Sequence, residues 1–124
     1  FDDGLSNNIK VTGLDEKGNL IIDPNSAVGI LESFKEKYPD FNVTATFFVN
    51  GGLFEQEQYN EKILKWLIDN GYDIGNHTYS HVNFSNADSE KTKKEVQKFA
   101  IDVIKKNNFE TEIFQFNITS YYNS

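Results

Sequence analysis

Val43-Thr44-Ala45-Thr46-Phe47-Phe48-Val49 is short, β-branched and aromatic, and it carries apolar groups on both faces. A strand of that kind needs cover on both sides, as in parallel sheets flanked by helices. Gly51 and Gly52 end it. Upstream, Ala27, Ile30, Leu31, Phe34 and Tyr38 recur at helical spacing, which predicts a helix over 27–37 with one buried face. Asn25 or Ser26 caps it and Pro39 stops it. Downstream, Tyr59, Ile63, Leu64, Trp66, Leu67 and Ile68 predict a second amphipathic helix over 57–70, with Gly71 just past its end. Tyr72–Ile74 reads as a strand. A third helix spans 89–106 behind Asp88 or Ser89, presenting Val96, Phe99, Ala100, Val103 and Ile104. Phe114, Phe116 and Ile118 alternate with polar residues, so 113–118 reads as a last strand.

Before the first helix, residues 5–24 are polar. Glu16-Lys17-Gly18-Asn19 is turn-rich and separates Val11–Leu14 from Leu20–Ile22, which predicts a hairpin. With the hairpin set aside, the order is strand–helix–strand–helix–strand. That is an α/β layout with parallel strands, either an open sheet or part of a barrel. In such folds reactive groups gather at the C-terminal ends of the strands.

A chain of 124 residues holds one cored domain, and 38% apolar and 15% aromatic content fits a folded globule. The net charge is -7, and all 12 basic residues are lysine. Nucleic acid and anionic membranes are therefore excluded as general partners, and no guanidinium clamp enters the chemistry. Without cysteine there is no disulfide, thiolate ligand or thiol nucleophile. No run of 18 apolar residues is present to span a membrane. A chain opening on Phe1 rather than Met is expected to be a processed or excised piece of a longer protein.

Two clusters carry potential chemistry. His77 and His81, the only histidines, stand four apart just after a predicted strand. On a helical turn they share a face and reach one metal; the bland reading is two polar loop residues. Position 78 is Thr, so the glutamate base of a His-Glu-x-x-His site is missing. Asp2 and Asp3 are adjacent carboxylates that repel unless something positive lies close, and Gly4 lets the backbone turn sharply beneath them. Their bland reading is two solvated acids. Together, one Asp and two His make a three-ligand set that suits Zn²⁺ or a similar divalent ion. The other Asp is then left to act as a base.

Phe1-Asp2-Asp3-Gly4 resembles the first motif of the polysaccharide deacetylases, the NodB-homology domains of carbohydrate esterase family 4. Ala45-Thr46-Phe47-Phe48-Val49 resembles the strand that follows it, and Gly75-Asn76-His77-Thr78-Tyr79-Ser80-His81 resembles the second, His-[Ser/Thr]-x-x-His motif. The resemblance implies an α/β, parallel-stranded fold that is part of a distorted (β/α) barrel. It implies Asp3, His77 and His81 as metal ligands, Asp2 as general base and zinc as the divalent ion. It also implies removal of acetyl groups from an N-acetylglucosamine polymer such as peptidoglycan or chitin, or from acetylated xylan. Tyr79, between the two histidines, is a candidate for the substrate groove. Residues 1–124 then form part of such a domain, with 5–24 a loop or hairpin insertion beside the site and 109–124 a poorly matched terminal strand. Leu5 replaces the usual proline. The family's Arg-x-Pro-aromatic motif and late Leu-x-x-His, which supplies the general acid, have no counterpart among these residues. An inactive carbohydrate-binding or structural remnant is therefore the competing expectation. Phosphate-ester hydrolysis is weaker, since no lysine sits in either motif. The Asn, Lys and Ile bias and the carbohydrate polymer point to an extracellular or cell-wall bacterial protein. Trp66 is expected to pack rather than to bind sugar.

Overall fold

A computed structural model describes residues 1–105 and 114–116. Its main sheet has four parallel strands in the order β1 (Asp2–Asp3), β4 (Thr46–Val49), β5 (Asp73–Asn76) and β6 (Phe114–Phe116). The remaining strands, β2 (Val11–Leu14) and β3 (Leu20–Ile22), pair antiparallel with each other in a separate hairpin. Helices α1 (Ala27–Lys37), α2 (Asn60–Asp69) and α3 (Ser89–Phe99) lie in the three successive crossovers of the main sheet. The expected barrel is overturned. Neither sheet closes on itself, and among the described strands β1 and β6 are left as edges. Closure takes about eight tilted, staggered strands, and four parallel strands make an open sheet instead.

Register brings the strand ends level. Asp3 pairs with Val49, and Val49 pairs with Asn76, so three neighbouring strands finish on one row. The two best-placed apolar strands form the middle of the core. Phe47 is fully buried, stacked on Phe1 at 5.0 Å and edge-on to Phe54 and Tyr72 at 6.0 Å each. Burial of one such ring is worth about 1.5–3 kcal/mol. Ile63, Leu64 and Leu67 of α2 and Phe99 of α3 are also fully buried and join that cluster.

Local signals set the helix boundaries. Ser26 caps α1 by accepting from the Gly29 N–H, and Asp88 caps α3 by accepting from Lys91 N–H at 2.8 Å. The C-terminus of α2 closes on Gly71 at φ +85°, whose N–H donates to Ile68 O while Tyr72 N–H donates to Leu67 O. That pairing is a Schellman motif, and Tyr72 completes it by stacking on Trp66 at 6.1 Å. Trp66 is thus a packing residue, as expected.

Four expectations need correction. The strand expected from Val43 begins at Thr46: Ala45 still accepts from Asp73 N–H at 3.0 Å, but Thr44 lies beside the end of α2, its Oγ1 donating to Gly71 O. Helix α1 buries Val28 and part of Leu31, but Ile30, Phe34 and Tyr38 are exposed, grouped with exposed Phe41. Its apolar surface is wider than the stripe that one sheet face covers. The 57–70 helix starts as a tight 3₁₀ turn over Glu57–Tyr59, and the third helix widens into a π-type turn over Ala100–Lys105. Of the last predicted strand, only Phe114–Phe116 lies within the described residues.

The hairpin is fastened by a side chain. Gln56 Nε2 donates to Ile9 O at 2.8 Å, and Val11 N–H donates to Gln56 Oε1 at 2.8 Å. Both are bonds a neighbouring strand would otherwise make. Ile9 and Val11 are buried, and Leu20 and Ile22 pack on the core edge, so the hairpin belongs to the same hydrophobic unit.

Candidate metal centre

Asp3 ends β1 at φ +72°, and Gly4 follows at φ +64°. A Cβ on Gly4 would stand 2.2 Å from Leu53 O, so only glycine lets the chain turn there against the β4–α2 loop. The sharp turn expected beneath the two carboxylates is present.

Across β4 from Asp3, His77 carries the ladder one residue past β5, its N–H donating to Val49 O at 3.0 Å. The chain then turns. Thr78 and His81 have φ of +65° and +56°, and neither lies in a helix. The i,i+4 spacing was expected to act through a helical face; the two rings meet instead through a left-handed turn, their centroids 5.0 Å apart. Hydrogen bonds from local residues and from two other elements hold that turn. Thr78 N–H donates to Asn76 Oδ1 at 2.8 Å, and Val82 N–H donates to Thr78 Oγ1 at 3.2 Å. Asn50, just past β4, donates to the carbonyls of His77 and Thr78. Glu95 of α3 accepts from Ser80 N–H at 2.8 Å and from the Ser80 hydroxyl.

The two clusters converge on one point. Asp3 Oδ1 lies 3.0 Å from Nε2 of His77 and 3.0 Å from Nε2 of His81. One donor atom from each of the three residues falls within 4.8 Å of the others. Tetrahedral zinc, with bonds near 2.0–2.1 Å, spaces its ligand atoms roughly 3.3 Å apart, close to the spacing found. Two imidazoles and a carboxylate, without thiolate, also match the chemistry of a divalent ion. His77 is buried, whereas Asp3 and His81 remain partly open to solvent, so the cluster has an inner wall and an accessible side. Burial pushes the His77 imidazole below its ordinary 6.5, against the opposing pull of the Asp2 and Asp3 charges. That favours the neutral ring, the form that binds metal.

The polysaccharide deacetylase family profile matches residues 24–119. This chain belongs to the polysaccharide deacetylase family. The match includes both histidines and begins after Asp2 and Asp3. A peptidoglycan-N-acetylglucosamine deacetylase of Bacillus cereus is 35% identical over 63 residues, which are 51% of this chain and 22% of that protein. The aligned stretch thus spans about a fifth of the relative's length. No solved structure matches the chain.

Elsewhere in this deacetylase-family chain, Tyr79 turns towards α3. Its ring rests against Gly51, where a Cβ would come within 2.4 Å, and Lys98 Nζ sits 4.5 Å from the ring centroid. With Gly52, Glu55, Glu61 and Asp102 it lines a cavity of about 670 Å³. Asn50 and Glu95 escaped the sequence reading. Asn50 sits next to a recognised strand, but its partners are main-chain carbonyls 27 and 28 residues away, which leave no mark on side-chain spacing. Among the described residues, no helix is long and apolar enough to cross a membrane.

Proposed function

We propose that the chain is part of a metal-dependent hydrolase domain that removes acetyl groups from N-acetylglucosamine units of a polysaccharide, with peptidoglycan the leading substrate and chitin next. The convergence of both imidazole Nε2 atoms on Asp3 Oδ1 carries this reading. Family membership and the activity for which the B. cereus relative is named support it. Residues 1–124 are read as one portion of that domain, with 5–24 an insertion.

Asp3, His77 and His81 would hold the ion, with zinc the preferred one. When bound, a divalent ion supplies a Lewis acid for the developing oxyanion and makes water more acidic. The buried His77 fixes the inner side of the centre, while the exposed edge of Asp3 and His81 admits the acetamide. Asp2 accepts the proton from water as its oxygen adds to the acetamide carbonyl. The C–N bond then breaks, leaving acetate and an amine that takes up a proton. Tyr79 borders the route of the sugar chain. Net charge of -7 disfavours a phosphate-ester substrate. Such a substrate places the protein outside the cytoplasm of a bacterium.

A second reading, an inert carbohydrate-binding relative, is favoured by one observation. Both histidines of residues 1–124 are drawn into the cluster, so within this stretch no further imidazole is left to serve the leaving amine. One experiment separates the two. The purified chain is stripped with chelator, reloaded with zinc, and assayed for metal content and for acetate release from acetylated chito-oligosaccharides and peptidoglycan fragments. Zinc retention with zinc-dependent acetate release is expected. Retained zinc without acetate selects the inert reading, and failure to retain zinc removes the metal centre altogether.

A further inference from the structure

Three residues of the candidate centre occupy left-handed backbone, and Thr78, at φ +65°, is β-branched. That conformation costs such a residue on the order of 1–3 kcal/mol, and it persists only where surrounding contacts over-determine it. Most of those contacts are short-range in sequence or reach the rim of the turn. Asn50 differs. Its Nδ2 donates to His77 O at 2.8 Å and to Thr78 O at 2.9 Å. Successive carbonyls of an extended strand point to opposite sides, so a single donor reaches both only after the chain has turned. The peptide it grips carries His77 on one side and leads to His81 on the other. The next residue, Gly51, adds a third tie, its N–H donating to Tyr79 O at 2.8 Å.

We propose that Asn50 is a positioning residue for the metal centre, bracing the His77–Thr78 carbonyls so that both imidazoles aim at Asp3. This rests on the metal reading above, although Asn50 itself contributes no ligand atom. Its two amide protons satisfy two acceptors at once. Asp at this position keeps the shape but sets a carboxylate oxygen against two carbonyl oxygens, and Ala removes the brace outright.

The test compares the unmodified chain with Asn50→Ala and Asn50→Asp. Zinc affinity is measured by competition with a chromophoric chelator, the visible absorption of the Co²⁺-loaded form is recorded, and Tm is taken metal-free. Outer partners of metal ligands are typically worth 10–100-fold in affinity. A zinc Kd raised by roughly that factor in Asn50→Ala, and further in Asn50→Asp, is expected, with an altered Co²⁺ spectrum. A merely structural role would lower Tm while leaving affinity and spectrum of the folded protein unchanged, and that result overturns the proposal. Should both variants fail to fold, the side-chain amide protons of Asn50 in the unmodified chain decide by NMR. Slow exchange with solvent supports the brace, and fast exchange overturns it. If the unmodified chain binds no zinc, the metal reading fails separately. The proposal is then judged on the metal-free imidazole ¹⁵N shifts, which must move in Asn50→Ala or Asn50→Asp; unchanged shifts in a folded variant overturn it.

Discussion

Where β5 begins, the left-handed residue is Gly71, at φ +85° with open space around its Cα; where β5 finishes, the left-handed residues are Thr78 and His81, with Asp3 level with them at the end of β1, across β4. The first end is closed by a Schellman motif and by aromatic packing. Tyr72, buried and stacked on Trp66, donates its hydroxyl to Glu32 at 2.8 Å, and burial reinforced by that carboxylate keeps the phenol protonated well above its usual range. Nothing there is strained. The second end places side chains with reactive groups in a conformation that suits glycine better, and fastens them with Asn50, Asn76 and Glu95. Of the two ends of β5, the strained one is the end that carries the candidate ligand atoms, and ordinary capping rules govern the other.

Four measurements break or sharpen that contrast. The largest effect is expected at the strained end. Asp2→Asn should lower acetate release by ~10²–10⁴-fold, the usual worth of a general base, while zinc content stays unchanged. Equal turnover in the variant would remove Asp2 from the chemistry. Next is Gly4→Ala, which sets a methyl group 2.2 Å from Leu53 O at φ +64°. A stability loss of roughly 3 kcal/mol in urea unfolding is expected, with zinc affinity falling as Asp3 shifts. At the opposite end, Gly71→Ala meets no neighbour within 4 Å and suffers only the left-handed φ. It should cost about 1–2 kcal/mol and leave zinc affinity untouched, so a change in affinity there would erase the distinction between the two ends.

The smallest effect is pH-dependent. Burial lowers the His77 pKa in the folded chain relative to its ordinary 6.5, so the unfolded chain binds this proton more readily. Metal-free stability should therefore be fully present above pH 6.5 and decline as the pH falls below it. Urea midpoints of the chain and of His77→Gln across that range would show the decline in the former and its loss in the latter.

Much of the architecture was legible because its causes are local. The caps Ser26 and Asp88, the glycine after α2 and the turn-rich hairpin all act within a few residues of the elements they bound. The choice between open sheet and barrel was not, since closure depends on how many strands share one sheet. The family resemblance pointed to a barrel, and the strand order shows an open sheet. The exposed side of α1 was misread for a related reason: Ile30, Phe34 and Tyr38 carry the helical period, but the period alone does not say which part of a wide apolar surface meets the sheet. At the candidate centre, the grouping of one carboxylate of Asp2-Asp3 with His77 and His81 was readable from residue chemistry, and the family resemblance singled out Asp3. Their geometry was not, because the turn between the histidines is imposed by Asn50 and Glu95 from other elements.

The fastening of the hairpin has its own consequence. Gln56 grips Ile9 and Val11 solely through main-chain atoms, so the strap is indifferent to which side chains follow it. The exposed tip from Asp15 to Asn19, held by its own Asp15 turn, is therefore expected to accept other sequences without rewriting the sheet. The chain thereby carries a graftable outer surface, varied independently of the machinery beneath.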